Sequence, residues 1–179
     1  TIALASALLS AIVLYGFGVM QETQNRNQKT AQIMYHAISE QQGQELYKQE
    51  EIAWVGEFFN AFSEQVNHST VNFTYANADM LTSQSMPYSG DLPASENEIV
   101  VQESFLDSLG YSNELGQTIQ IPFSDGTTHD FKLTGILDVK TGDIGRYTAI
   151  ISKELVRQQY GDGGMIDYYI GLKGAQNMS

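Results

Sequence analysis

Residues 2–20 of this 179-residue chain, IALASALLSAIVLYGFGVM, contain no Asp, Glu, Lys or Arg. About 20 apolar residues wound as a helix cross the hydrocarbon core of a bilayer, and a charge at its centre is costly. The run therefore predicts a membrane-spanning helix, which ends abruptly at the polar stretch QETQNRNQK. A buried core helix and a signal peptide are the competing readings. A signal peptide needs a small-residue cleavage site close behind its apolar stretch, whereas Tyr15, Phe17, Val19 and Met20 crowd this exit. The reading adopted is a transmembrane helix running into a stalk over residues 1–29. The missing initiator and basic flank suggest a piece cut from a longer polypeptide.

Beyond residue 29 the hydrophobic period changes. Ile33 to Ile38 reads as a strand, and Ser39-Glu-Gln-Gln42 as a capping box opening a helix to about Gln49. Glu51 to Phe59 is a second apolar run, so strand, helix and strand form a βαβ unit whose strands should run parallel. Val71, Phe73 and Tyr75 alternate with polar residues, as in a half-buried strand. Thr82 to Asn97, rich in Ser, Pro, Gly and Asp, is the longest predicted loop and includes Pro87 and Tyr88. Asn97 to Val101 predicts a short buried strand leading into a helix with Phe105, Leu106 and Leu109 on one face and Gly110 as its stop. Ile119, Ile121 and Phe123, then Ser124-Asp-Gly-Thr127, then Phe131 and Leu133, read as a hairpin with an Asp-Gly turn. Thr148 to Ser152 predicts a strand, followed by a helix to Tyr160 and a stop at Gly161. Ile166, Tyr168, Ile170 and Leu172 give a final strand, and GAQNMS reads as the entrance to a further helix. The class is α+β, with about eight strands and three short helices outside the membrane.

Charge and composition exclude several functions. The formal net charge is -12, which argues against a nucleic-acid binder and against attachment to anionic lipid. No Cys is present, so disulfides, thiolate nucleophiles and cysteine-ligated metals are excluded. Neither G-x-x-x-x-G-K-[ST] nor G-x-G-x-x-G occurs, so the chain does not hydrolyse nucleotide itself. G-x-S-x-G is also missing, and no catalytic residue is singled out. His36, His68 and His129 lie far apart and read as ordinary surface or strand histidines. Asp125-Gly126 and Asp162-Gly163-Gly164 read as turns, because neither continues as a calcium loop. Glu103 and Glu154 sit at helix starts, where the macrodipole favours a carboxylate. No cofactor or metal is expected. Trp54, Phe58, Phe59 and Phe62 form an aromatic cluster that should be mostly core, and exposure of Phe59 or Phe62 would mark a partner-binding patch. Pro87 and Tyr88, on the long loop, are the other candidate partner-binding residues.

The order Asn97-Glu-Ile-Val-Val101, Ser104-Phe-Leu, Leu109-Gly110, Leu115-Gly-Gln-Thr-Ile119 and Phe131-Lys-Leu-Thr-Gly-Ile136 resembles the extracytoplasmic core domain of FtsX/MacB-like ABC transporter permeases. Ala149-Ile-Ile-Ser152 and the strand from Ile166 to Leu172 match as well, and the similarity covers about residues 2–179. The resemblance implies two lobes. Residues 30–65 with 164–179 would form an incomplete membrane-proximal βαβ lobe, and residues 66–163 an outer strand-rich α+β lobe. It also implies a non-catalytic domain on the outer side of a bacterial cell membrane, whose permease is driven by a cytoplasmic ABC ATPase subunit. A second permease copy is a further candidate partner. The Asn-, Gln- and Ser-rich loops suggest a Gram-positive source. Two alternatives stand beside this reading: an extracytoplasmic ligand-sensing domain of a membrane receptor, and a secreted or anchored enzyme.

Overall fold

The computed structural model describes residues 31–139, 146–161 and 166–174. In chain order the elements begin with β1 (Ile33–Tyr35), α1 (Glu40–Leu46), β2 (Ile52–Val66), β3 (Ser69–Ala76), α2 (Ala78–Ser83) and β4 (Tyr88–Gly90). They continue with β5 (Glu98–Gln102), α3 (Glu103–Leu109), β6 (Thr118–Pro122), β7 (Thr128–Leu137), β8 (Arg146–Ile151), α4 (Lys153–Tyr160) and β9 (Asp167–Leu172). The membrane helix and stalk expected over residues 1–29, the turn at Asp162-Gly163-Gly164 and the helix entrance after Gly174 lie outside the described residues. Among the described residues no helix is long and apolar enough to cross a membrane.

The strands build one mixed sheet in the order β1-β9-β2-β3-β8-β5-β7-β4, with β6 paired to β7. β1 and β2 both run antiparallel to β9 and therefore parallel to each other, with β9 between them. The helix joining them starts as the sequence predicts: Ser39 Oγ accepts from the Gln42 N–H while Gln42 Oε1 accepts from the Ser39 N–H. β1 stops at Tyr35 rather than Ile38 because Ala37 takes a φ of +50°, which ends the extended run. β1, β2 and β9 lie at one end of the sheet, and the strands of residues 69–151 supply the remainder. The two groups of strands are continuous through the β2–β3 hairpin, where Asn67 and His68 have φ of +48° and +68°. Two positive φ values are what a two-residue hairpin turn of the right twist requires.

The described residues hold nine strands and four helices, against the eight and three expected from sequence. The additions are α2 and β4, of six and three residues. Both are too short to display a hydrophobic period. α2 starts because Asn77 Oδ1 accepts from the Met80 N–H, and its Met80 and Leu81 cover one sheet face over Ala76, Val100, Leu137 and Ile150. The opposite face carries the main core. There α3 and α4 lay Phe105, Leu106, Leu155 and Val156 on Phe73, Val101, Leu133, Ala149 and Ile151. Gly110 closes α3 in the left-handed conformation at φ +79°, as predicted. Under α1, Leu46 packs on Val55, Tyr168 and Ile170. Because β5 is covered on both sides, Ile99, Val100 and Val101 are all fully buried and read as an unbroken apolar run.

Candidate functional site

Two aromatic residues singled out from sequence lie on β2, and an irregularity in that strand decides where they point. Phe59 is opposite Tyr75 and Phe62 is opposite Phe73, with a register slip between Asn60 and Phe62. Residues three apart on a regular strand face opposite sides of the sheet. Ala61 is the extra residue, and the bulge turns Phe62 onto the same face as Phe59. Both rings are half-buried. Phe59 meets Tyr160 edge-on at 5.2 Å, and Phe62 stacks on Phe73 at 4.6 Å.

Phe62 extends this aromatic layer to the β6–β7 hairpin. Its ring lies 5.9 Å from that of Phe123, which in turn lies 4.3 Å from His129. Phe62, Phe123, His129 and Phe131 line a groove of about 220 Å³. α4 contributes Leu155, Gln158 and Gln159, the loop before β5 contributes Glu96 and Asn97, and β7 adds Asp130. The hairpin is held by its own side chains and by one from β2. Asp125 Oδ1 accepts from both the N–H and the hydroxyl of Thr127, and Glu64 Oε2 on β2 accepts from the N–H and hydroxyl of Ser124. Asp130 accepts from Gln120 Nε2 at 3.0 Å. Among the described residues lining the groove, none is Lys or Arg.

The helix that lines this groove is anchored on its other side by charge. Residues 155, 158 and 159 share one face of α4, and 153, 156 and 157 share the opposite face, since i, i+3 and i+4 are helical neighbours. On that second face Lys153 Nζ lies 2.9 Å from Glu57 and 3.2 Å from Glu40 of α1, and Arg157 also binds Glu40. Glu57 is 4% exposed, yet its oxygens accept from Tyr47 Oη at 2.8 Å, Tyr75 Oη at 2.6 Å and Lys153 Nζ. Burial and then the adjacent Glu57 carboxylate push both tyrosine hydroxyls far above their ordinary value, so they act as donors. Partial burial raises the Glu40 carboxyl, but Lys153 and Arg157 outweigh it and hold the group below the usual glutamate range. Next to this cluster Tyr168 is fully buried, and burial with the nearby Glu57 pushes its hydroxyl up to about 12. Tyr168 fits only because α1 carries Gly43, where a Cβ would lie 2.1 Å from the tyrosine Cζ.

Pro87 and Tyr88 are not brought to this groove. Pro87 is exposed, and Tyr88 packs half-buried on the α2 side of the sheet, opposite the face that carries Phe62. Phe123, His129, Phe131 and Gln158 were not singled out from sequence. The hairpin alternation and the 155/158/159 spacing carry the signal for them, but the bulge that brings Phe62 to meet them has no sequence signature. His36 lies 3.1 Å from Asp167, and among the described residues no group of three potential metal ligands converges.

A long mixed sheet with helices on both faces, and an aromatic groove at one helix, defines an α+β domain without a recognisable catalytic constellation among the described residues. The family model of the MacB-like periplasmic core domain matches residues 1–178, and the chain belongs to that family of ABC transporter permease domains. The periplasmic region of MacB from Actinobacillus actinomycetemcomitans has a similar fold, with TM-score 0.54 and 15% identity over 79% of this chain and 67% of that one. So does the extracellular domain of YknZ, a noncanonic ABC-type transporter from Gram-positive bacteria, with TM-score 0.56 and 10% identity over 78% of this chain and 75% of that one. A comparison with curated proteins gives no match.

Proposed function

We propose that this domain is a non-catalytic relay. It receives motion generated by a cytoplasmic ABC ATPase subunit and uses it to engage a partner or substrate outside the membrane. The observation that carries the relay is the position of α4. One face is tied by ion pairs to α1, which follows the predicted stalk, and the other lines the aromatic groove. A shift of α1 relative to the sheet would pull on Lys153 and Arg157 and change the width of the groove. Phe62 supports the groove as the partner-engaging face; Pro87 and Tyr88 belong to a second surface of the same proposed type. The two-lobe division, with β1, β2 and β9 nearer the membrane, fits this direction of transmission. Composition favours a Gram-positive source.

The reading is tested in the intact permease with its ATPase subunit in nanodiscs. Spin labels at Gln158→Cys and Asp125→Cys span the groove. Their separation is expected to differ between the ATP-bound and nucleotide-free complex. An identical distance distribution in both states would count against the relay. The receptor alternative predicts a single second membrane span followed by a cytoplasmic signalling module in the full-length protein, instead of further permease spans.

A further inference from the structure

We propose that the aromatic groove binds a cationic side chain, a lysine ammonium or an arginine guanidinium, carried on a peptide segment of the partner. This rests on the reading of the groove as the partner-engaging face and adds the chemistry of what enters it. The groove combines phenyl rings at Phe62 and Phe123 with carboxylates at Glu96 and Asp130, and its described lining has no Lys or Arg. A ring face attracts a cation through its quadrupole, and a neighbouring carboxylate supplies the directional hydrogen bond. Lys132, beside Phe131 on β7, is drawn to Glu98 at 3.6 Å. Lys153 and Arg157, on the helix lining the groove, are engaged by Glu40 on the opposite face of that helix.

The surroundings favour the same sign. Glu64 and Asp125 stand at the adjoining hairpin end, and the whole chain carries a formal net charge of -12. Such a field raises the encounter rate of cationic ligands and repels anions. An apolar ligand alone would desolvate the Glu96 and Asp130 carboxylates without a cation to neutralise them. Size narrows the choice further. At about 220 Å³ the groove is below the roughly 300–1,000 Å³ of pockets that enclose a whole small molecule, and it suits one long side chain. Asn97, Gln158 and Gln159 offer amide groups to the backbone of the segment that carries it.

The test is an NMR titration of the isotope-labelled full chain in nanodiscs with the peptide acetyl-Gly-Arg-Gly-Arg-Gly-amide. A second peptide with citrulline in place of arginine keeps the shape and removes the charge. Shift changes are expected to centre on Phe62, Phe123, His129 and Gln158, with the citrulline peptide binding at least about tenfold more weakly. The double variant Glu96→Gln/Asp130→Asn should lose a similar factor, and Asp107→Asn/Asp138→Asn, at exposed acids elsewhere, should lose none. Thermal melts establish that each variant is folded. Equal binding of the citrulline peptide, shift changes spread over the acidic surface, or a neutral oligosaccharide occupying the groove in its place would overturn the proposal. Arginine binding without any ATP-dependent change in groove width would leave this inference standing and remove the relay. The reverse result would do the opposite.

Discussion

Glu57 is a buried carboxylate whose oxygens meet two tyrosine hydroxyls and one ammonium. Removing one member of a buried pair costs about 3–5 kcal/mol, because the charge left behind keeps its desolvation penalty. Glu57→Leu should therefore lower stability by about that amount in urea melts. Glu57→Gln, which retains an acceptor for one tyrosine, should lose less. Two other carboxylates contribute to the acid limit. Two backbone N–H groups, from Ala94 first and Ser95, outweigh a smaller desolvation effect and hold the Glu98 carboxyl below its ordinary range. For Glu40, burial acts upward, and Lys153 with Arg157 overcomes it. A group depressed in the folded state stabilises above its unfolded pKa, about 4.3 for glutamate, and that contribution disappears as pH falls through the folded value. Stability should thus fall on acidification below about pH 4.5. The fall should be shallower in a Glu40→Gln/Glu98→Gln variant, read from urea midpoints at neutral and acid pH.

Among the elements, β2 owes its role to one inserted residue. Deleting Ala61 would leave Phe62 two residues from Phe59, still on the same face and opposite Phe73, and would restore a regular ladder to β3. Val66, 2% exposed in the main core, would keep facing inward. The Phe62–Phe73 stack and the Val66 burial are both retained, so the loss of stability in urea melts should stay below the roughly 2–5 kcal/mol that removing them would cost. In the resulting strand the Phe62–Phe123 contact should persist in aromatic NOE spectra. α4 shows how a short helix can serve two surfaces. Its eight residues divide into a face that meets α1 through charge and a face that meets the hairpin through Leu155 and the glutamines.

Across the whole molecule, Glu40 joins the first described helix to the last. Glu40→Gln weakens both of its ion pairs, which are partly solvated, so the expected loss is about 0.5–1 kcal/mol. Amide exchange in α4 should accelerate about two- to fivefold, while β5, buried on both faces, should keep its protection. Acceleration spread evenly over the sheet would show general destabilisation in place of a local tie.

Much of the secondary structure follows from short-range chemistry. The Ser39 capping box, the Gly110 stop, the Asp125-Gly126 turn and the alternation of Ile166 to Ile170 depend on neighbours within a few residues, so they were legible in the chain. So was the order of motifs that places the protein in its family. The groove was only half legible, through Phe62. Its remaining members come from β6–β7, α4 and the loop before β5, which are remote in sequence and meet only when the sheet forms. The same is true of Glu57: nothing near it in the chain distinguishes a carboxylate that Tyr75 and Lys153 will enclose from one left in solvent. Local rules fixed the elements because hydrogen bonds and dihedral preferences act over a few residues. Strand order, the Ala61 bulge and the burial of charge were decided by the tertiary structure, because each depends on long-range pairing that no local pattern encodes.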